Sequence, residues 1–188
     1  MNKTSRYLLS AVVIVIGAVG AGRYLHSHRG TTPVTSSTTS VAASPVCIAT
    51  DFVASFDSGQ GAAGNILASA SLTKTSVGSC RLSGWPLLSL SNSAGVSIPT
   101  TTVQGSQVFQ NFFSLSVPST PAHLLVAQNR VVTFEILYND VPGLAACPVA
   151  SSLGISVASS GVMLGSTAVN ALTPCDHHLN VSPFFLEP

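Results

Sequence analysis

From residue 46 onward the chain alternates apolar and polar residues with a period of two, and this pattern constrains its fold more than any other feature. Ile66, Ala68, Ala70 and Leu72 alternate with Ser69, Ser71 and Thr73. Val132, Phe134, Ile136 and Tyr138 alternate with Thr133 and Glu135, and Phe113, Leu115 and Val117 with Ser114 and Ser116. Successive side chains on a strand point to opposite faces, so each set offers one apolar face to a core. Turn signals separate the sets: Ser58-Gly59-Gln60-Gly61, Asn92-Ser93-Ala94-Gly95, Gln128-Asn129 and Ser159-Ser160-Gly161. No stretch beyond residue 46 carries a convincing 3.6-residue apolar period. About eight short strands with frequent turns predict an all-β domain, an antiparallel immunoglobulin-like β-sandwich, over residues 46–188.

Charged residues are only 7% of the 188, against about a quarter in ordinary soluble domains. Solubility rests instead on 29 Ser and 16 Thr. A hydrophobic content of 46% excludes a disordered chain of the highly charged kind. Seven Lys+Arg cannot form a phosphate-tracking stripe, so nucleic acid is not an expected partner. The formal net charge of +1 averages two different objects. Lys3, Arg6, Arg23 and Arg29 put four cations near the N-terminus, whereas residues 46–188 hold three cations and six carboxylates. The domain is therefore mildly acidic, and anionic polymers are poor candidates for its partner.

Residues 1–29 read as a signal anchor: a basic start, then the uncharged run Tyr7–Gly22 around Leu8-Leu9-Ser10-Ala11-Val12-Val13-Ile14-Val15-Ile16. Sixteen uncharged residues fall short of the roughly 20 a spanning helix needs. Arg23 can snorkel, and Tyr7 and Tyr24 suit the interfaces, which extends the helix to about residues 7–25. Ala18 and Gly20 only weakly mimic a cleavage site, so an uncleaved anchor is favoured over secretion after signal cleavage. Residues 30–45, GTTPVTSSTTSVAASP, hold no charge, aromatic or periodicity and read as a disordered Ser/Thr-rich linker.

The domain contains four cysteines, Cys47, Cys80, Cys147 and Cys175, with no C-x-x-C pair. An even count behind an export signal points to two disulfides in an oxidising compartment, with the domain outside the membrane. Three pairings are open. Cys47–Cys80 and Cys147–Cys175 are preferred, because each then staples one half of the domain with a loop of about 30 residues.

Motifs with possible chemistry are thin. Gly59-Gln60-Gly61-Ala62-Ala63-Gly64 spells a dinucleotide fingerprint, but a strand-like segment follows it and no acid occurs between Asp57 and Glu135. It reads as a loop. Asp176-His177-His178 beside Cys175 is the densest set of metal-ligand residues, with His123 the only other histidine of the domain. Adjacent strand residues face opposite ways, so a solvated turn is the better reading. Ala150-Ser151-Ser152-Leu153-Gly154 only distantly resembles a nucleophile elbow. Trp85 is expected in the core against a disulfide rather than as a stacking platform. Asn180-Val181-Ser182 fits an N-glycosylation sequon.

Gly61-Ala62-Ala63-Gly64-Asn65, Leu72-Thr73-Lys74-Thr75-Ser76 and Cys80-Arg81-Leu82-Ser83-Gly84-Trp85-Pro86, in that order, resemble three blocks of the domain-of-unknown-function 4232 family. Cys147-Pro148-Val149-Ala150 and Leu179-Asn180-Val181-Ser182-Pro183-Phe184 resemble its second half, so the likeness covers about residues 46–186. The resemblance implies an exported actinobacterial protein and an extracytoplasmic β-sandwich with two disulfides. It implies no activity, ligand or catalytic residue. The chain departs from the family in lacking a lipobox cysteine, so attachment would be by helix rather than lipid. It also departs in carrying Gln128-Asn129 where the family has a Pro-Gly turn.

The functional expectation is a non-enzymatic binding or interaction module of the cell envelope, single-pass with its domain outside, and without catalytic residues, cofactor or metal. Its expected partners are the membrane, through the N-terminal helix, and an envelope protein or cell-wall glycan. The alternative is a small extracytoplasmic enzyme or metal-handling protein using His123, Asp176, His177 or His178.

Overall fold

A computed structural model describes residues 43–143 and 146–187, and among them twelve strands and one short α-helix. The strongest alternation becomes β2 (Asn65–Lys74) and β8 (Val131–Asn139), which pair antiparallel along their length. β1 (Phe52–Ala62) pairs the other edge of β2. β11 (His178–Val181) and β12 (Phe185–Leu186) follow one another along the free edge of β8. β6 (Thr101–Gln104) closes this sheet, running parallel to β11. A second sheet has the order β10 (Met163–Leu172), β9 (Ala150–Val157), β4 (Pro86–Ser91) and β5 (Ser97–Ile98). β3 (Cys80–Leu82) and β7 (Leu124–Val126) form a separate two-stranded ribbon.

The two larger sheets share one apolar core. Ala68, Ala70 and Leu72 of β2 and Val132, Phe134 and Ile136 of β8 are at most 1% exposed. Leu88, Leu90, Leu153, Ile155 and Leu164 supply the other side. Phe134 meets Phe184 edge to face, with centroids 5.4 Å apart. Where β10 crosses the first sheet a glycine eases the close approach: a Cβ on Gly165 would lie 3.2 Å from Ala54 Cβ. The fold is thus all-β with a sandwich-like core and two disulfides.

Several local expectations are corrected. The strand expected over Phe113–Val117 is instead the end of α1 (Gln107–Phe113) and a following coil. Phe109 and Phe113 lie four apart on this helix, and Phe109 is fully buried. Ser114 ends the helix in a left-handed conformation, its amide donating to the Gln110 carbonyl and that of Leu115 to Phe109. The sheet is not wholly antiparallel, because β6 runs alongside β11. Ser58–Gly61 is no loop: these residues lie within β1, where the register shifts between Asp57 and Gln60. The hairpin turn falls one step later, at Ala63 and Gly64, both with positive φ as a two-residue hairpin loop of type I′ demands.

Gly59 makes this bulge possible. Its φ is +62°, and an added Cβ would press into the Leu67 carbonyl, 2.8 Å from the carbonyl carbon. Gly59→Ala is expected to destabilise the domain by roughly 2–4 kcal/mol, from left-handed strain plus backbone overlap. Gly61→Ala, whose Cβ meets the flexible end of Ile66 at 3.0 Å and the Asn65 carbonyl only at an ordinary 4.0 Å, is expected to cost under about 1 kcal/mol. Urea midpoints of the two variants check this; equal shifts would overturn it.

The expected anchor (1–29) and nearly all of the linker (30–45) lie outside the described residues. Among the described residues no helix is long and apolar enough to cross a membrane.

Candidate functional site

A recess of about 470 Å³ opens beside the β3–β7 ribbon. Its apolar lining comes from Val46, Leu82, Leu124, Leu125 and Val157. Polar groups enter from Arg81, Ser83 and His123 on the ribbon side and from Ser159 and Ser160 in the β9–β10 turn. Alternation builds this surface. Cys80, Leu82 and Val126 turn inward and are buried, while Arg81 and Leu125, directly opposite one another, turn outward. Leu125 and Val46 are each 57% exposed.

The Cys47–Cys80 disulfide holds the groove's first wall. It lies in the core, its cysteines 0% and 2% exposed. It fixes Val46 beside Arg81, where the Arg81 amide donates to the Pro45 carbonyl and the Cys47 amide to the Arg81 carbonyl. Arg81 Nε donates to the Ser44 carbonyl at 2.7 Å. No carboxylate lies within 4 Å of the Arg81 guanidinium among the described residues, where the single ion pair is Lys74–Asp51. Arg81 is therefore an uncompensated cation in an acidic domain, and no carboxylate lines the groove.

Of His123, Asp176, His177 and His178, only His123 lines the groove. Asp176 and His177 occupy an exposed turn after Cys175, with His177 at φ 60°. There the His178 amide donates to Asp176 Oδ1, and His177 Nδ1 lies 2.9 Å from the Pro99 carbonyl. These four residues form no metal-sized group. Among the described residues the one set of three possible ligands is Cys47, Asp51 and Cys80, in which both sulfurs are already bonded to each other. The second disulfide joins Cys147 to Cys175. The serine-rich run at Ala150–Gly154 lies within β9, so it is no strand-to-helix elbow. Trp85 is partly buried and packs against the core. In the sequon, Ser182 is fully buried with its Oγ accepting the Glu135 amide, so the folded chain withholds the hydroxyl a glycosylation enzyme must engage.

Two clusters escaped the sequence reading. Lys74 continues the inward series of β2 and is 1% exposed, its ammonium 3.4 Å from Asp51 Oδ1. On the other face of the same sheet, Ser69 donates to Glu135 Oε2 and Thr133 to Glu187 Oε1, each at 2.7 Å. Burial pushes the Glu135 carboxyl above the usual range, the Ser69 hydrogen bond opposes that, and Glu187 adds to it. Both clusters satisfy their polar atoms within themselves, and neither lines the groove.

The fold and groove define a class: a disulfide-stapled β domain with a cationic, largely apolar surface recess. No family model matches the chain, and no curated protein or solved structure matches it either.

Proposed function

We propose that this chain is a non-enzymatic binding module of the cell envelope, with an immunoglobulin-like domain held outside the membrane by an uncleaved N-terminal helix. Membership of the domain-of-unknown-function 4232 family belongs to this reading and rests on the blocks around Gly61–Asn65, Leu72–Ser76 and Cys80–Pro86. The observation that carries it is the groove: an apolar recess beside a disulfide, edged by Arg81 and His123. Pockets that hold ligands are mostly apolar with a few placed polar groups. Such a lining suits an envelope protein better than a cell-wall glycan, which would need many more hydrogen-bonding side chains.

A photoreactive residue at Ser160, on the groove, and another at Ser55, exposed on β1, test this in cells producing the full chain. Discrete adducts are expected from Ser160 only and are lost with Arg81→Glu, while the uncleaved chain fractionates with membranes. Identical adducts from both positions, or none from Ser160, would refute the binding reading. A shortened chain in the soluble fraction would refute the anchor.

A further inference from the structure

The ribbon beside the groove has one occupied edge and one open edge, and backbone alternation says which groups lie on each. In an antiparallel pair, a residue whose amide and carbonyl serve one neighbour turns them away from the other. Arg81 spends both on the chain at Pro45–Cys47. Its backbone therefore points away from β7, and Arg81–Leu125 is a pair without mutual backbone hydrogen bonds. It follows that the Leu125 N–H and C=O point out from the far edge of β7. Among the described residues no strand pairs with that edge. An exposed edge of this kind is a template for another strand.

Charge decides what kind of strand. The groove face of the ribbon carries Arg81, with His123 nearby, and no carboxylate. The rest of the domain is acidic, so this is its complementary surface for an anion. A second copy pairing edge to edge through its own β7 (Leu124–Val126) would bring apolar side chains and no carboxylate to this face, which disfavours a homodimer.

We infer that β7 receives an extended acidic peptide segment from a partner protein, added as a strand through the Leu125 N–H and C=O. Its groove-facing residues set an apolar side chain near Leu125 and a carboxylate toward His123 and, across β7, toward the Arg81 guanidinium, whose Nε stays on the Ser44 carbonyl. Main-chain bonds supply affinity in this mode and the alternate side chains supply selection. The inference rests on the groove being a binding site, and adds the chemistry of what binds.

The test uses the full chain with two short capped peptides, threonine alternating with valine and glutamate, and the same sequence with lysine for glutamate. Vesicles of phosphatidylglycerol form a third arm. The acidic peptide is expected to shift the backbone resonances of Arg81, His123 and Leu125 and to slow hydrogen exchange at the Leu125 amide. The lysine peptide is expected to do neither. Arg81→Glu, a surface change that spares the core, is expected to weaken the acidic peptide by about tenfold and to favour the lysine one. Equal response to both peptides, or response to vesicles alone, would overturn the proposal. Leu125 protection that grows with protein concentration and needs no peptide would also overturn it, in favour of a second copy. If the peptides fail while Ser160 still crosslinks in cells, strand addition is wrong and the binding module stands; if both fail, both readings fall.

Discussion

Asp51→Ala is expected to lower the unfolding free energy by about 3 kcal/mol, and the double variant Asp51→Ala/Lys74→Met to recover most of that loss. Lys74 lies at the end of β2 with its side chain 1% exposed. Its ammonium reaches Asp51 Oδ1 at 3.4 Å, the Ser76 carbonyl at 3.2 Å and the Ser76 hydroxyl. That hydroxyl in turn donates to Asp51, whose other oxygen accepts the Ile48 amide at 2.9 Å. Removing Asp51 strands a positive charge where water cannot reach it, and an orphaned buried charge costs far more than a pair contributes. Asp51 is itself 17% exposed, which keeps the expected effect near the lower end of the usual range of about 3–5 kcal/mol. Methionine fills a similar volume without a charge, which is why the double variant should exceed the single one.

The pair also predicts a pH dependence. The Ser76 hydroxyl, more than any other group, holds the Asp51 carboxyl below its ordinary range; burial opposes this, while the Ile48 amide and Lys74 assist. A depressed carboxyl contributes stability that is present above its unfolded pKa and lost as acid protonates it through the lower folded value. The wild-type chain should therefore lose more stability than the double variant on going from neutral pH to acid below the usual carboxylate range. Urea midpoints at the two pH values check both statements. A single variant within about 1 kcal/mol of wild type, or a double variant no better than the single, would contradict the account.

The legible parts of the fold were those where one face is buried. β2 and β8 were readable because Ala68, Ala70, Leu72, Val132, Phe134 and Ile136 all point into the same core. The helix at Gln107–Phe113 was not, because seven residues give barely two turns and its Phe113 also begins a short alternation with Leu115 and Val117. The i, i+4 pairs Val108–Phe112 and Phe109–Phe113 were the available signal. β6 has one apolar residue, Val103, and owes its place to β11 rather than to its own pattern. Gly59 showed as a glycine but not as a bulge, since the Leu67 carbonyl that forbids a side chain there comes from the partner strand. The groove was illegible for a related reason: Val46, Arg81, His123 and Ser159 lie far apart in the chain and meet only through the ribbon and the disulfide. Lys74 shows the opposite failure. Its period-two position already placed it on the core face, but a lysine there reads as a strand end until Asp51 is seen beside it.

Replacing Cys47 and Cys80 together by alanine is expected to cost about 4–5 kcal/mol, and replacing Cys147 and Cys175 about 3–4 kcal/mol. The two bonds span 33 and 28 residues, so the constraint each places on the unfolded chain is nearly equal, about 3.5 kcal/mol. The difference comes from the folded state. Cys47 and Cys80 are 0% and 2% exposed within the core cluster, so their loss also opens a cavity, whereas Cys147 and Cys175 are half-buried. Function should divide more sharply than stability. The first bond holds Pro45–Cys47 against Arg81, and without it one wall of the groove and the neighbour that turns the Leu125 backbone outward are both released. The second bond joins the segment before β9 to the turn carrying Asp176 and His177, none of which lines the groove. Under conditions where both variants remain folded, the Cys147/Cys175 variant should therefore crosslink from Ser160 like wild type, and the Cys47/Cys80 variant should not. Urea midpoints and Ser160 crosslinking, measured on the same samples, decide the matter. Equal loss of crosslinking in both variants would mean the groove depends on global stability, and the wall formed at Val46 would no longer explain it.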